Sequence, residues 1–482
     1  NLITNIYEDR TSNLLESDYG NGQKAGDSYD SLNRVIQRSF DGTQTYNYSY
    51  DASGNLALTE DIVNGTNQRY IYDNANRLSE VQDSNGDKYS YGYDLNNNTN
   101  SIIDKINGVT RTTSFIYDND NRPTETDING GGKVIQHYDR VGRLDYKQIN
   151  TGVSSFSIGY FYKSGVDGSS STRLEYIING GVTTNYTYYA NGNIDTINGD
   201  EIKYHYDELI ELVREDNKIQ NKTITYSYDA GGNITAKTEH PYTKDEPRTA
   251  TAAYSYTYGD SNWKDKLTNY NGQDITYDAI GNPLTYNGWA YTWERGRQLK
   301  SMNGNGKNIG YKYNDSGIRT QKTVNGITIN YRLVGDKVTY EDNGTDKIYY
   351  SYDASGNLVS MNLNGVEYYY IRSAQGDITG LFDGTGNPVV SYVYDSWGKL
   401  ISIDGSLKDS VGVKNPYRYK GYRYDTETGL YYLQSRYYSP EWGRFINADG
   451  IVATPGEILS ANMFVYCNNN PSTLKDLDGF RP

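Results

Sequence analysis

A tyrosine-aspartate pair recurs along this chain at short, regular intervals, and that recurrence limits the fold more than any other feature. Tyr29-Asp30, Tyr50-Asp51, Tyr72-Asp73, Tyr93-Asp94, Tyr117-Asp118 and Tyr138-Asp139 follow one another every 21 to 24 residues, a period typical of repeat architectures. The array then loosens but continues through Tyr206-Asp207, Tyr228-Asp229, Tyr277-Asp278, Tyr352-Asp353, Tyr394-Asp395 and Tyr424-Asp425. Degenerate copies stand at Tyr189-Ala190, Trp293-Glu294 and Tyr313-Asn314.

The flanks repeat as well: YSYDASGNL from Tyr48, YIYDNANRL from Tyr70, HYDRVGRL from His137 and YVYDSWGKL from Tyr392. Each reads as an alternating Tyr-x-Tyr strand, a turn opened by Asp, and a second strand opening on Leu, Ile or Val. The Asp carboxylate is expected to accept backbone N–H groups two or three residues on, and the Gly or Asn that follows tolerates positive φ. A second turn, Asn-Gly, recurs at Asn64-Gly65, Asn85-Gly86, Asn107-Gly108, Asn129-Gly130, Asn179-Gly180, Asn198-Gly199, Asn325-Gly326, Asn343-Gly344 and Asn364-Gly365. Asn-Gly signals a two-residue type I′ hairpin, which needs positive φ at both central positions. The expected fold class is therefore all-β: tandem β-hairpins with almost no helix.

Composition agrees once tyrosine is counted. Only 35% of residues are hydrophobic, but 53 of the 482 are Tyr, against 8 Phe and 5 Trp. Such rings bury a face while the hydroxyl reaches a partner or water, which suits half-buried strands. Disordered chains are poor in aromatics, so disorder is the weaker reading. A ribbon of this length cannot stay flat, because strand twist accumulates. Solenoid, sandwich stack, propeller and wound shell all remain open on physical grounds.

The net charge of -14 argues against nucleic acid or an anionic membrane as the main partner. Cys467 is alone, so no internal disulfide framework exists. No apolar run approaches the ~20 residues of a membrane span. The opening NLITNIYEDR has neither Met nor a signal peptide, which reads as an excised piece of a longer polypeptide.

The segment from Asn415 to Phe480 breaks the pattern. It reads NPYRYKGYRYDTETGLYYLQSRYYSPEWGRFINADG, an insertion, and then NMFVYCNNNPSTLKDLDGF. It is irregular and rich in Arg and aromatics, and ends in two carboxylates beside a glycine. A repeat array is a scaffold, whereas an irregular end is where chemistry is expected. The domains expected are residues 1–414 as repeats, 415–480 as this core, and 481–482 as the start of a variable C-terminal region.

The unit Y-D-x-x-G-R/N-L resembles the YD repeat of Rhs proteins, of the C components of bacterial insecticidal toxin complexes, of wall-associated bacterial proteins and of teneurins. The segment from Tyr417 to Phe480 resembles the Rhs-associated core of bacterial members. The resemblance covers about Tyr29 to Phe480. It implies a sheet of YD-repeat hairpins wound spirally into a hollow shell, plugged by the core, around a C-terminal toxin domain as cargo. A further shell or delivery subunit, a secreted or cell-surface location in a bacterium, and no cofactor or metal go with it. The core is implied to be an intramolecular aspartic protease that releases the toxin domain by autoproteolysis.

Carried over by residue, the family's P-x-x-x-x-D-P-x-G-L falls on Pro471 to Phe480, with Asp476, Asp478 and Gly479 inside it and cleavage implied between Phe480 and Arg481. Leu477 stands where Pro is usual, and Phe480 replaces Leu. The second carboxylate is Asp449, with Gly450 in place of a usual Pro. Arg436 matches the essential arginine, with Arg444 a second candidate.

The chemistry of such a set is clear. Hydrolysis needs a base for water, an acid for the departing amine and a partner for the oxyanion. Two carboxylates sharing one proton supply the first two, and Asp449 with Asp476 is the expected pair. Arg436 would hold one of them ionised or polarise the Phe480 carbonyl. Read alone, Asp476 and Asp478 would be turn caps at Gly479, and the scattered His137, His205 and His240 are ordinary strand residues. Cys467, in the apolar FVYC run, has nothing nearby to lower its pKa. The expected function is an encapsulating, self-cleaving toxin shell. The alternatives are an adhesive or carbohydrate-binding repeat module, for which five Trp are too few to furnish every unit, and a structural shell with an inactive core.

Overall fold

The computed structural model describes residues 2–129, 132–165, 169–450 and 459–480, with the side chain of Ser460 excepted. Gly130 of the Asn129-Gly130 turn, and Arg481, lie outside the described residues. Strand after strand pairs antiparallel with its neighbour in sequence, as Thr43–Tyr50 does with Leu56–Asp61. Among the described residues the helical pieces are short turns such as Lys408–Gly412 and Tyr419–Gly421, and no helix is long and apolar enough to cross a membrane.

The repeat geometry explains its own sequence. In the unit at Tyr50, Asp51 N–H donates to the Asn55 carbonyl at 2.9 Å, and Gly54 N–H to the Asp51 carbonyl at 3.0 Å. Gly54 has φ +89°, a value that favours glycine. Asp51 Oδ1 accepts from Ser53 N and Asn55 N, each at 2.9 Å. The carboxylate therefore caps groups two and four residues on, one residue further than the turn chemistry predicts. The extra residue also makes a bulge, so that Tyr50 stands opposite Leu56.

The tyrosine of most pairs ties one repeat to the one before. Tyr50 Oη donates to the Val35 carbonyl at 2.7 Å, Tyr72 to Leu56 at 3.0 Å and Tyr93 to Leu78 at 2.7 Å. Arginine at the end of the turn bridges the same joint. Arg77 pairs with its own Asp73 at 2.7 Å and lays its guanidinium 4.4 Å from the ring centre of Tyr93. Asp, Arg and Tyr thus form one repeating contact, in which the arginine both neutralises the cap and covers the next ring.

The Asn-Gly turns divide. Asn107 and Gly108 have φ +51° and +79° and join the facing pair Ile106 and Val109, a type I′ hairpin; Asn325-Gly326 does the same between Val324 and Ile327. Asn64, Asn85, Asn179 and Asn343 do not have positive φ, and there only the glycine does. At Asn85-Gly86 the turn is an Asp-opened one, with Asp83 N–H on the Asp87 carbonyl at 2.9 Å, so the aspartate overrides the Asn-Gly signal.

The chain forms two compact units. The first comprises Asn1–Ile135, Asp278–Asn282 and Ala290–Val366. Within it the early and late repeats meet at a core of Tyr89, Ile106 and Tyr340. Arg332 Nε lies 2.8 Å from Asp87, and Asn107 Nδ2 donates to Tyr340 Oη at 3.1 Å.

The second unit comprises Gln136–Tyr277, Pro283–Trp289 and Glu367–Pro482. It repeats the same joints, with Tyr228 Oη on the Leu212 carbonyl at 2.7 Å and Tyr394 Oη on Ile378 at 2.8 Å. It also contains the irregular 415–480 segment, whose short strands Arg423–Asp425, Leu430–Tyr432, Tyr437–Ser439 and Arg444–Phe445 form a separate four-stranded sheet.

Candidate carboxylate and arginine site

The site is built on a tyrosine-dense core held by the repeat turns. Tyr419, Tyr438 and Tyr431 donate to three successive carbonyls of one turn, those of Ser396, Trp397 and Gly398, at 2.8, 2.7 and 2.7 Å. Other YD turns hold the remainder. Asn469 Nδ2 donates to the Gly232 carbonyl and to Glu211 Oε1, both at 2.7 Å, and Asn470 Nδ2 to Asn193 Oδ1 at 2.8 Å. These bonds satisfy polar groups that burial would otherwise leave costly.

Arg436 stands at the centre. It is 4% exposed and its guanidinium stacks 3.6 Å from the ring centre of Phe445. Its Nη2 lies 3.0 Å from Asp449 Oδ2 and 3.8 Å from Asp476 Oδ2. Nη1 donates to the Met463 carbonyl at 3.0 Å, Nε to the Gly479 carbonyl, and Nη2 also to the Phe480 carbonyl at 3.1 Å. One guanidinium thus joins two carboxylates 27 residues apart to the peptide carbonyl between residues 480 and 481. Only a planar fork with five donors reaches so many acceptors at once.

The two carboxylates are held differently. Asp449 is clamped by Arg436, and its backbone N–H donates to Met463 O at 2.8 Å. Asp476 is fully buried, and Oδ1 accepts from Gly479 N at 2.7 Å and Asp478 N at 3.3 Å. Its Oδ2 has no hydrogen-bond partner among the described residues. Burial pushes this carboxyl above its ordinary value, against the pull of Arg436 and of the two N–H groups. A buried carboxyl with a raised pKa and one free oxygen is suited to carry a proton.

The other expected residues fall outside this constellation or support it. Arg444 is spent elsewhere: its Nη1 donates to Tyr258 Oη at 2.6 Å and Nη2 to the Asp265 carbonyl at 2.7 Å, so it anchors the core to the repeats. Asp478 is exposed, and its Oδ1 accepts from Phe480 N at 3.1 Å as a turn cap would. Pro471 is buried, Leu477 is 73% exposed, and nothing lies within 4 Å of where a Cβ on Gly450 would sit. Cys467 is buried, which pushes its thiol up to about 12, the reverse of a nucleophile. Two contributors carry no signal in the sequence. Ser435 donates through N and Oγ to the Asp478 carbonyl at 3.1 and 2.8 Å, and Tyr422 Oη donates to the Asp476 carbonyl at 2.5 Å.

The family model of the teneurin YD-shell matches residues 2–214 and 173–472. The chain belongs to the teneurin YD-shell family. It is thus a YD-repeat protein of the Rhs type, with the all-β hairpin fold of that family. The tRNA nuclease WapA of Bacillus subtilis strain 168 is 37% identical over 284 residues, 57% of this chain and 12% of that protein. Human teneurin-4 is 23% identical over 357 residues, covering 71% of the YD-shell chain and 11% of its own length. Among solved structures, the crystal structure of TcdB2-TccC3 without its hypervariable C-terminal region superposes with a TM-score of 0.65 at 15% identity. That match covers 99% of this chain and 27% of the other. The YD-shell chain therefore spans about an eighth of the length of WapA and about a quarter of the solved relative, and the structural likeness shows the fold.

Proposed function

We propose that the chain is the encapsulating shell of a secreted or injected bacterial toxin, and that residues 415–480 are a self-cleaving aspartic protease that frees a C-terminal toxin domain. The observation that carries the protease reading is the position of Arg436, one guanidinium shared by Asp449, Asp476 and the Phe480 carbonyl. The comparisons support the shell reading: the chain is similar to a tRNA nuclease and shares its fold with TcdB2-TccC3, crystallised without its hypervariable C-terminal region.

In this reading Asp449, kept ionised by Arg436, takes a proton from water as its oxygen adds to the Phe480 carbonyl carbon. Charge developing on the carbonyl oxygen is held by Arg436 Nη2. Asp476, in which burial favours the protonated form, gives its proton to the nitrogen of residue 481 as the C–N bond breaks. The new Phe480 carboxylic acid passes its proton to the released amine, so the products are a carboxylate and an ammonium group, with no other reactant than water.

The shell half of the proposal is tested by extending the chain past Pro482 with an unstructured, protease-sensitive reporter and adding an external protease. Survival of the reporter beside the intact repeats is expected. Its digestion at the rate of the free peptide would remove encapsulation and leave an uncovered YD-repeat module.

A further inference from the structure

Three successive carbonyls, those of Asp478, Gly479 and Phe480, are all gripped by two neighbouring residues. Ser435 takes the first through both N and Oγ, and Arg436 takes the other two through Nε and Nη2. The grip is set by a tight turn: Leu433 N–H donates to the Arg436 carbonyl at 2.9 Å, Gln434 adopts φ +63°, and Leu433 is 2% exposed. Side chains of the gripped segment are left out. Leu477 is 73% exposed and Phe480 40%.

Within the gripped segment, Gly479 leaves no room for a side chain. Its φ is +83°, and a Cβ there would stand 2.6 Å from the Leu433 carbonyl oxygen, 2.6 Å from Ser435 Oγ and 3.2 Å from Arg436 N. Two of these three atoms are backbone of a buried turn and cannot move aside cheaply.

We infer that residues 433–436 form a subsite that reads a peptide through its backbone. Ser435 is its positioning residue, and the same turn supplies the steric reason for the glycine that the family pattern already places at 479. The inference rests on the Phe480 carbonyl being the scissile one. It gives the protease a selectivity set by main-chain geometry: glycine is required at 479, and the exposed side chain at 477 is unread. Ser435 acts on the reaction by fixing where the Phe480 carbonyl lies against Arg436, since small misplacement of a reacting group costs rate steeply.

The test follows cleavage by intact mass over time in the full chain extended past Pro482 by a folded reporter. Ser435→Ala should slow cleavage about tenfold, the worth of one modest hydrogen bond, with thermal midpoint and pH profile unchanged. Ser435→Thr, which keeps the hydroxyl, should restore most of the rate. Gly479→Ala should stop cleavage, and Leu477→Ala should cleave like the wild type. A cleaved wild type whose Ser435→Ala and Gly479→Ala variants cleave equally fast overturns this inference alone. A wild type that stays whole between pH 5 and 8 overturns the protease reading and this one with it.

Discussion

Arg436 Nη2 lies 3.1 Å from the carbonyl oxygen of Phe480. The same atom also serves Asp449, so charge and geometry are both needed, and lysine supplies only the charge. Arg436→Lys should therefore fold but lose cleavage by about a hundredfold or more, the scale of a lost oxyanion donor. Far-UV circular dichroism checks the fold, and the time course of intact mass checks the rate.

Asp476 ties stability to pH. Burial raises its pKa, so the folded chain binds this proton more tightly than the unfolded one. The stabilisation is complete below the ordinary value of about 4 and is lost as pH rises through the folded value. Asp476→Asn cannot ionise, so it should be the more stable protein at pH 8, with the gap closing toward pH 4. Denaturation midpoints across that range measure it. On the proposed mechanism, cleavage by the wild type should fall along the same limb, because an ionised Asp476 has no proton to give.

The repeats were legible in the sequence because their cause is local. An Asp that caps its own turn, a Gly at positive φ and a Tyr two residues past another Tyr are all contained in nine residues. The Asn-Gly dipeptide misleads for the same reason, since at Asn85 a neighbouring Asp83 closes a different turn. Asp449, Asp476 and Arg436 were found only through resemblance to a family pattern; spacing does not bring residues 449 and 476 together. It also could not separate Arg436 from Arg444, since both follow a run of aromatics and only the folded chain gives one to the carboxylates and the other to Tyr258 and Asp265. Ser435 carries no signal at all, because its role is set by a contact 43 residues away.

The tyrosine joint between repeats has its own test. Tyr93→Phe removes the donor to the Leu78 carbonyl and keeps the ring under Arg77. The loss should be about 1 kcal/mol, read from chemical denaturation. No measurable change would show that the recurring hydroxyl is incidental to stability.

Glu211 couples a repeat turn to the core. It is 1% exposed, and burial, reinforced by Asp207 and Asp229 against the opposing bond from Asn469, raises its pKa from 4.5 to about 7. Its contribution is full below 4.5 and is lost as pH rises through about 7. Glu211→Gln should remove that loss, raising the thermal midpoint near pH 8 by roughly 2 °C or more and changing it little at pH 4.

The most direct measurement is the intact mass of the chain extended past Pro482 by a folded reporter, taken beside its Asp476→Asn variant. The account predicts that the wild type separates into two fragments with the break after Phe480, while the variant keeps its full mass. A wild type that remains whole at neutral and mildly acidic pH, or a variant that splits at the same bond and rate, would contradict it.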